Sequence, residues 1–249
     1  MKTVFITGCS SGFGLETANY FLERDWHVVA TMRTPREDLL PRSDRLRVLA
    51  LDVTDPDSIR QAVEAAGPIN VLVNNAGIGM LGALEGISMT AVREIFETNT
   101  FGTMALIQAV LPQFRQRKAG VIINVTSSVT LKSLPLLSVY TASKAAVNAF
   151  TESLALELGQ FNVRVNLVLP GRAPTTRFGE NAQSRMQGAI PEAYADLAQN
   201  IFAEWGKPSP VTEAKDVAEA VWRAATDPSS PMRIAAGADA VALFEAGQI

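Results

Sequence analysis

The sequence predicts an α/β fold in which a doubly wound sheet of about seven parallel strands carries helices on both faces. Short apolar runs recur along the chain, and each is followed by a longer stretch of helical character. Most of these runs are continuously hydrophobic or nearly so, which is typical of strands covered on both faces. The chain has 249 residues, 47% of them hydrophobic, and shows no linker or repeat. We therefore expect a single domain over residues 1–249.

Seven segments are predicted to form the strands. In chain order they cover residues 4–6, 28–30, 46–51, 71–73, 121–125, 163–169 and, with a weaker signal, 233–235. Most are rich in Val, Ile and Leu, and the β-branched residues among them favour extended backbone. Helices between consecutive strands allow the strands to pair in parallel, because each helix returns the chain to the starting edge of the sheet.

The sequence also marks where helices begin. Asp55 followed by Pro56 predicts a helix start, because aspartate caps the first backbone amides and proline fits the first helical position. Glu213 and Asp216 supply the acidic first turn of a helix predicted over about residues 213–226. In the second helix Val217, Ala220, Val221 and Ala224 fall at helical spacing and give an apolar stripe for packing on the sheet.

Two segments lack a clear strand. Residues 172–210 are rich in Pro, Gly, Gln, Phe and Trp. A loop-plus-helix excursion of that size is more often a binding lid than filler, so we expect a substrate lid over about residues 172–210. Residues 237–249 are Ala-rich, and we expect them to pack on a partner chain or to fray.

Composition argues against several classes of function. The 22 basic and 25 acidic residues give a net charge of −3, which argues against nucleic acid as a partner. The single Cys9 cannot form an internal disulfide, and with the single His27 it cannot build a Cys/His zinc site, so no metal site is predicted. A lone cysteine and the absence of an export signal predict a cytoplasmic location. No run of about 18 apolar residues occurs, so no membrane partner is expected.

A glycine-rich turn follows the first predicted strand. The sequence Thr7-Gly-Cys-Ser-Ser-Gly-Phe-Gly14 leads into an amphipathic stretch, so the turn joins a strand to a helix. Such a turn lets the backbone approach a pyrophosphate closely, and the helix N-terminus offers N–H groups and a positive dipole end. We predict a dinucleotide-binding turn, with a plain tight turn as the alternative. The candidate residues are Gly8, Ser10, Ser11, Gly12, Phe13 and Gly14.

A tyrosine and a lysine one helical turn apart form the candidate catalytic group. Tyr140 and Lys144 lie on one face of a predicted helix. An ammonium beside a phenol lowers the phenol pKa from about 10 toward neutrality, which proton exchange with an alcohol requires. Ser127 ends the fifth strand, at the sheet edge where ligands bind, and can therefore meet Tyr140. An ordinary surface pair is the alternative for the tyrosine and lysine taken alone.

In order and spacing, these motifs resemble those of the short-chain dehydrogenase/reductase family from end to end. The glycine spacing, the Asn74–Gly77 tetrapeptide Asn-Asn-Ala-Gly, Ser127 and the Tyr-x-x-x-Lys pair all match. The resemblance implies a Rossmann fold and nicotinamide-dependent hydride transfer to or from a carbonyl or secondary alcohol. It implies that Ser127 binds the substrate oxygen, Tyr140 transfers the proton, and Lys144 lowers the tyrosine pKa and holds the nicotinamide ribose. Asn99 matches the helix asparagine that completes a proton relay through water.

The choice of Ser127 over its neighbours Thr126 and Ser128 also rests on the resemblance. Ser127 lies 13 residues before Tyr140 and three after Asn124, and both separations fit the family pattern. Thr126 and Ser128 remain the competitors for this role.

Three further segments match cofactor-binding motifs of the family. They follow the third, fourth and sixth strands, and their residues are Asp52, Val53, Asn75, Ala76, Gly77, Pro170, Gly171 and Thr175. In the family the first pair lies against the adenine, and the threonine reaches the nicotinamide carboxamide. Thr176 is the alternative to Thr175, because Pro174 stiffens this loop.

The end of the second strand bears on the choice of cofactor. An acidic residue there would bind the ribose 2′-hydroxyl and repel a 2′-phosphate, and none is present. Arg33, with Arg36 three residues on, offers a planar cation that suits a phosphate. We therefore favour NADP(H) over NAD(H). The alternative is an exposed arginine in a site that accepts either dinucleotide.

A hydrophobic ketone or alcohol is the expected substrate. Apolar residues that could form its pocket and lid are Leu131, Leu134, Leu136, Leu137, Phe178, Met186, Ile190, Tyr194, Phe202 and Trp205. The segments around Thr7 and Arg33 resemble the hydroxysteroid and retinol branch of the family. Two alternatives are a nucleotide-sugar epimerase or dehydratase, which the glycine spacing and short chain disfavour, and a non-catalytic dinucleotide-binding regulatory protein.

Apolar residues on two predicted helices suggest self-association. The helices near residues 90–116 and 138–159 carry more apolar residues than one sheet face needs; examples are Met104, Ile107, Val147, Phe150 and Leu154. The family pairs these helices across an interface, which implies a homodimer or homotetramer. Burial within the monomer is the alternative.

Overall fold

The computed structural model describes residues 2–176, 182, 185, 186 and 188–247. Within these residues seven strands form one parallel sheet: β1 Thr3–Ile6, β2 His27–Met32, β3 Leu46–Ala50, β4 Val71–Asn74, β5 Gly120–Val125, β6 Val163–Pro170 and β7 Arg233–Ala236. Their order across the sheet is β3-β2-β1-β4-β5-β6-β7. The chain reverses its direction of winding between β1 and β4, and ligands bind at the carboxyl ends of strands at such a point. The predicted Rossmann-type doubly wound sheet is confirmed.

Helices cover both faces of this sheet. They are α1 Gly12–Leu22, α2 Pro56–Ala66, α3 Met89–Phe96, α4 Gly102–Arg117, α5 Ser138–Leu158, α6 Ala195–Trp205, α7 Ala214–Thr226 and α8 Ala238–Ala246. One core packs side chains of α1 and α7, such as Phe21 and Val217, against the sheet. The opposite core uses α2, α4 and α5, with Ile59, Leu106 and Leu154 buried there. The two cores hold the strand ends in fixed relative positions.

The predicted helix starts form as the local chemistry requires. Asp55 caps α2 by accepting a hydrogen bond from the Asp57 N–H at 3.0 Å, and Pro56 occupies the first helical position. At α7 the Asp216 carboxylate accepts a bond from the Glu213 N–H at 2.8 Å, and the reciprocal bond completes a capping box.

The long helix expected from about Thr90 is interrupted. Between α3 and α4 lies a five-residue π-helical turn, Glu97–Phe101, whose members Asn99 and Thr100 are buried. Such turns insert one residue into a helix and occur often at functional sites. The asparagine that is unfavourable in a regular helix therefore sits where the helix is irregular.

Two expectations need correction. Residues 238–246 form helix α8 and neither fray nor lack structure, because Asp239 in its first turn bonds the Arg172 N–H at 2.6 Å and the Thr212 hydroxyl at 2.7 Å. Among the interface candidates, Ile107, Val147 and Leu154 are buried within the chain itself.

In the part of the chain that the structure describes, no helix is both long and apolar enough to span a membrane.

Candidate active site

The glycine turn after β1 has a backbone shape that needs glycine. Gly8 and Gly12 adopt φ values of +73° and +58°, in the left-handed region. A Cβ on Gly14 would lie 2.4 Å from the Gly8 carbonyl oxygen and 2.5 Å from the Asn75 Nδ2. Among the described residues no side chain caps the first turn of α1, and no acid lies in that turn. The N–H groups of α1 can therefore bind an anion.

Thr7 ties this turn to the Asn74–Gly77 loop after β4. Its hydroxyl oxygen accepts hydrogen bonds from the backbone N–H of Asn75 at 2.9 Å and of Ala76 at 2.8 Å. The Asn75 side chain donates in return to the Thr7 carbonyl oxygen at 2.9 Å. Two loops from neighbouring strands thus form one rigid wall at the switch point of the sheet.

A cavity of about 820 Å³ opens over this wall. Its lining includes these residues of the predicted cofactor set: Gly8, Ser10, Ser11, Gly12, Phe13, Arg33, Asp52, Val53, Asn75, Ala76 and Gly77. Gly14 lies behind the wall and permits the close packing described above. The volume, the exposed amides of α1 and the glycine-lined floor fit a dinucleotide.

Two arginines that follow β2, Arg33 and Arg36, differ in whether they are free to contact a ligand. Arg33 is exposed on the cavity wall, whereas Arg36 is paired with Asp38 at 2.6 Å. Hydrogen bonds from the backbone and hydroxyl of Thr54 lower the pKa of Asp52, and the positive charge of Arg33 adds to this effect. Of these two arginines, Arg33 is therefore the one that could meet a phosphate.

Buried amides brace the strands beneath the site. The Asn74 Nδ2 donates to the Asn124 Oδ1 at 2.8 Å, and the Asn124 Nδ2 donates to the Thr151 hydroxyl oxygen at 2.8 Å. This chain links β4, β5 and α5. It fixes the helix that carries Tyr140 and Lys144 against the strand that leads to Ser127.

Ser127, Tyr140 and Lys144 come together next to the cavity. Their side chains are buried, and the Ser127 and Tyr140 hydroxyls share a hydrogen bond. The Lys144 ammonium donates to the Val125 carbonyl oxygen at 3.1 Å. A Cβ on Gly77 would lie 3.2 Å from the Lys144 Nζ, which puts this amine directly behind the cavity wall. Thr126, Ser127 and Ser128 were the candidates for binding the substrate oxygen. Of these, Ser127 contacts Tyr140, whereas the Thr126 hydroxyl has no partner among the described residues.

Burial shifts the pKa values of both Tyr140 and Lys144. It raises the pKa of Tyr140 well above its ordinary value, and the hydrogen bond with Ser127 acts in the opposite direction. Burial lowers the pKa of Lys144 from 10.5 to about 8. The predicted net lowering of the Tyr140 pKa is wrong for this structure, because desolvation of the phenolate outweighs the stabilising contacts.

Asn99 reaches the same region from the π-helical turn. Its Oδ1 accepts a bond from the Ile78 N–H at 2.8 Å, and its Nδ2 donates to the Ile78 carbonyl oxygen at 3.0 Å and to the Ser143 hydroxyl at 3.1 Å. Both amide hydrogens are therefore used within the protein. The proton relay through Asn99 stays a prediction, and any water in it would have to bind an acceptor group of this residue.

The loop after β6 differs from its expected arrangement. Thr176 lines the cavity and contacts the position that a Cβ on Gly12 would occupy, whereas Thr175 is exposed to solvent. Pro170 and Gly171 support the loop from behind: the Gly171 N–H donates to the Thr212 hydroxyl oxygen at 2.9 Å. The structure therefore favours Thr176 over Thr175 as the candidate for cofactor contact.

Part of the expected apolar pocket forms one cluster. Six of its candidate residues pack together: Leu136, Leu137, Met186, Ile190, Tyr194 and Trp205. Leu81 and Ala83, which no sequence motif marked, join them from the loop after β4. Phe202 is exposed, Leu131 and Leu134 lie outside this cluster, and Phe178 lies outside the described residues.

The cavity also uses residues that the motifs did not reveal. Thr31, Ile78, Arg93, Thr98 and Thr176 line it. Arg93 lies in α3 and Thr98 in the π-helical turn. The sequence could have indicated these two residues only through their closeness to Asn99. Thr7 was visible as the first residue of the glycine motif, but its hydrogen bonds to a distant loop were not.

The fold and this site together define a nicotinamide-dependent oxidoreductase, with a dinucleotide cavity beside a Ser-Tyr-Lys group. A sequence model described as short chain dehydrogenase matches residues 2–186. The chain belongs to the short-chain dehydrogenase family.

Individual relatives agree with this assignment. The chain is 35% identical over 254 residues to retinol dehydrogenase 8 of Homo sapiens, covering 93% of this chain and 80% of that protein. It is 40% identical over 199 residues to 3-ketodihydrosphingosine reductase of Bacteroides thetaiotaomicron, covering 78% of this chain and 72% of that protein. The predicted resemblance to the retinol branch is consistent with the first of these.

Solved structures share the whole fold. A short-chain dehydrogenase from Streptomyces avermitilis superposes with a TM-score of 0.83 at 32% identity, covering 99% of this chain and 92% of that one. A short-chain dehydrogenase from Burkholderia cenocepacia, solved in complex with NADP, gives a TM-score of 0.78 at 27% identity, covering 98% and 93%.

Proposed function

We propose that this protein transfers a hydride between NADP(H) and a hydrophobic ketone or its secondary alcohol. The observation that carries the proposal is the position of the Lys144 amine directly behind Gly77 of the cavity wall, on the same helix as Tyr140, whose hydroxyl is hydrogen-bonded with Ser127. A proton-transfer group beside a nicotinamide site is the arrangement that carbonyl reduction requires.

Each residue of the group has a distinct task in this proposal. The bound nicotinamide supplies the hydride for reduction, or accepts it for oxidation, at its C4 atom. The Ser127 hydroxyl orients the carbonyl oxygen, and the Tyr140 hydroxyl donates its proton to that oxygen. The positive charge of Lys144 stabilises the phenolate that Tyr140 becomes, because an adjacent ammonium favours the charged form of a phenol.

Arg33 supports NADP(H) over NAD(H). It is exposed on the cavity wall, and the end of β2 offers no carboxylate that would repel a 2′-phosphate. The relative from Burkholderia cenocepacia binds NADP, which agrees with this preference.

The apolar cluster around Leu136 supports a hydrophobic substrate. It packs α6 and its neighbouring residues against the segment that precedes Tyr140. The names of the two relatives above, a retinol dehydrogenase and a ketodihydrosphingosine reductase, both describe substrates with long hydrocarbon parts. We place the substrate between this cluster and Tyr140, with the described part of residues 172–210 as its cover.

Self-association through α4 and α5 also belongs to this proposal. Phe101, the last residue of the π-helical turn before α4, and Leu156 on α5 are 52% and 86% exposed, so these large apolar side chains are available to a partner copy. Phe101 and Leu156, rather than the buried Ile107, Val147 and Leu154, are therefore the apolar side chains that we expect a homodimer or homotetramer to bury.

The proposal is tested by loss of NADPH absorbance across a panel of aliphatic, aromatic, steroid and quinone ketones. Turnover that prefers the larger apolar ketones is expected. Tight NADPH binding without turnover of any ketone would contradict it and would favour a regulatory dinucleotide-binding protein.

A further inference from the structure

Ser143 lies at the centre of a buried hydrogen-bond network beside the catalytic pair. It is fully buried, three residues after Tyr140 and immediately before Lys144. Its hydroxyl donates to the Tyr140 carbonyl oxygen at 2.7 Å and accepts a bond from the Asn99 Nδ2 at 3.1 Å. One hydroxyl therefore joins the backbone of the proton donor to the amide of Asn99.

The network continues to the cavity. Asn99 bonds both backbone groups of Ile78, at 2.8 and 3.0 Å, and Ile78 lines the cavity next to Gly77. A continuous path thus runs from Ile78 through Asn99 and Ser143 to Tyr140. Buried and fully paired networks of this kind fix relative positions more firmly than separate bonds do.

The π-helical turn makes this path possible. Two consecutive residues of the turn, Asn99 and Thr100, are both buried and both bond Ser143. Thr100 donates its hydroxyl to the Ser143 carbonyl oxygen at 3.0 Å, while Asn99 contacts the Ser143 hydroxyl. The two contacts to one residue can be removed separately by mutation.

We propose that Ser143 is a positioning residue that sets the distance between Tyr140 and the nicotinamide end of the cavity. This inference rests on the proposed oxidoreductase function. A displacement of about 1 Å in such a site can reduce the rate about 100-fold. Ser143→Ala should therefore lower kcat about 10- to 100-fold, with the KM for the ketone and the Kd for NADPH changed by less than about twofold.

Two controls separate positioning from stability. Thr100→Val removes a buried hydrogen bond to the same residue but leaves the path from Ile78 to Tyr140 intact. Thr141→Val removes a hydroxyl in the same turn that has no partner among the described residues. Both should retain kcat within about threefold of the original protein, even if Thr100→Val melts at a temperature as low as that of Ser143→Ala.

The experiment measures kcat and KM with NADPH and the fastest ketone of the panel, NADPH affinity by fluorescence, and melting temperature for each variant. If Ser143→Ala does not fold, Ser143→Cys keeps the size and a weak donor, and it should give an intermediate kcat. A kcat for the folded serine variant that stays within twofold of the original, or an equal loss in Thr100→Val, would overturn the inference.

A second readout needs no substrate. NADPH should slow amide hydrogen exchange in a peptide over residues 138–145, and Ser143→Ala should lose at least half of that slowing although it still binds NADPH. Unchanged slowing would overturn the inference. Failure of the proposed oxidoreductase function gives a different result, because in that case the original protein, without any substitution, turns over no ketone.

Discussion

Lys144→Met is expected to make the folded protein more stable at neutral pH while it abolishes turnover. Burial lowers the pKa of Lys144 from 10.5 to about 8. Each pKa unit corresponds to about 1.4 kcal/mol, so the buried ammonium costs about 3 kcal/mol of folding free energy at pH 7. Methionine removes this cost but leaves the Val125 carbonyl oxygen without its donor, at a loss of about 1 kcal/mol. The net gain should be about 2 kcal/mol.

The difference in folding stability between Lys144→Met and the original protein should change with pH in a defined direction. Between pH 8 and 10.5 the unfolded chain holds the lysine proton more tightly than the folded chain does. The original protein is therefore expected to gain stability relative to the methionine variant as the pH rises through that interval. Above pH 10.5 the lysine is neutral in both states, and the advantage of methionine should vanish.

Urea unfolding at pH 7 and at pH 10.5 measures this effect. Lys215→Met, which replaces an exposed lysine of α7, is the matched control for a lysine-to-methionine change outside the buried site. A methionine variant at position 144 that is less stable than the original at pH 7 would refute the reasoning. So would a stability difference that does not change between the two pH values.

Two further predictions concern the cofactor and the assembly. Arg33→Ala should weaken NADPH binding about 10- to 100-fold, because a charge-assisted hydrogen bond contributes about 1.5–3 kcal/mol, and should leave NADH binding unchanged. Titration of both proteins with both dinucleotides decides this, and equal NADPH affinity would contradict it. Leu156→Glu should shift the sedimentation of the protein toward the monomer without unfolding the chain, because that side chain is 86% exposed in the single chain. An unchanged sedimentation coefficient would show that this face is not the interface.

Strands such as β4 and β5 were predictable because they are buried on both faces. A strand covered by helices on each side carries apolar residues at nearly every position, so segments 71–73 and 121–125 stand out in the sequence. The glycine turn was predictable for a similar reason, since Gly8 and Gly12 adopt backbone angles that few other residues tolerate.

Other features depend on contacts between distant segments, and the sequence alone does not reveal them. The π-helical turn is stabilised by the bonds of Asn99 to Ile78 and Ser143, from other parts of the chain. The direction of the Tyr140 pKa change depends on burial by the complete fold. Helix α8 has an Ala-rich sequence with a weak pattern, and it is fixed by the contact of Asp239 with Arg172.

Comparison of the original protein with Tyr140→Phe tests the central claim most directly. The phenylalanine keeps the ring and its packing but has no proton to donate, so NADPH binding should persist. With the best ketone of the panel, NADPH consumption should fall by at least about 100-fold, since general acid catalysis contributes about 10²–10⁴-fold. Ketone reduction by Tyr140→Phe at the original rate would show that Tyr140 does not transfer the proton and would contradict the account.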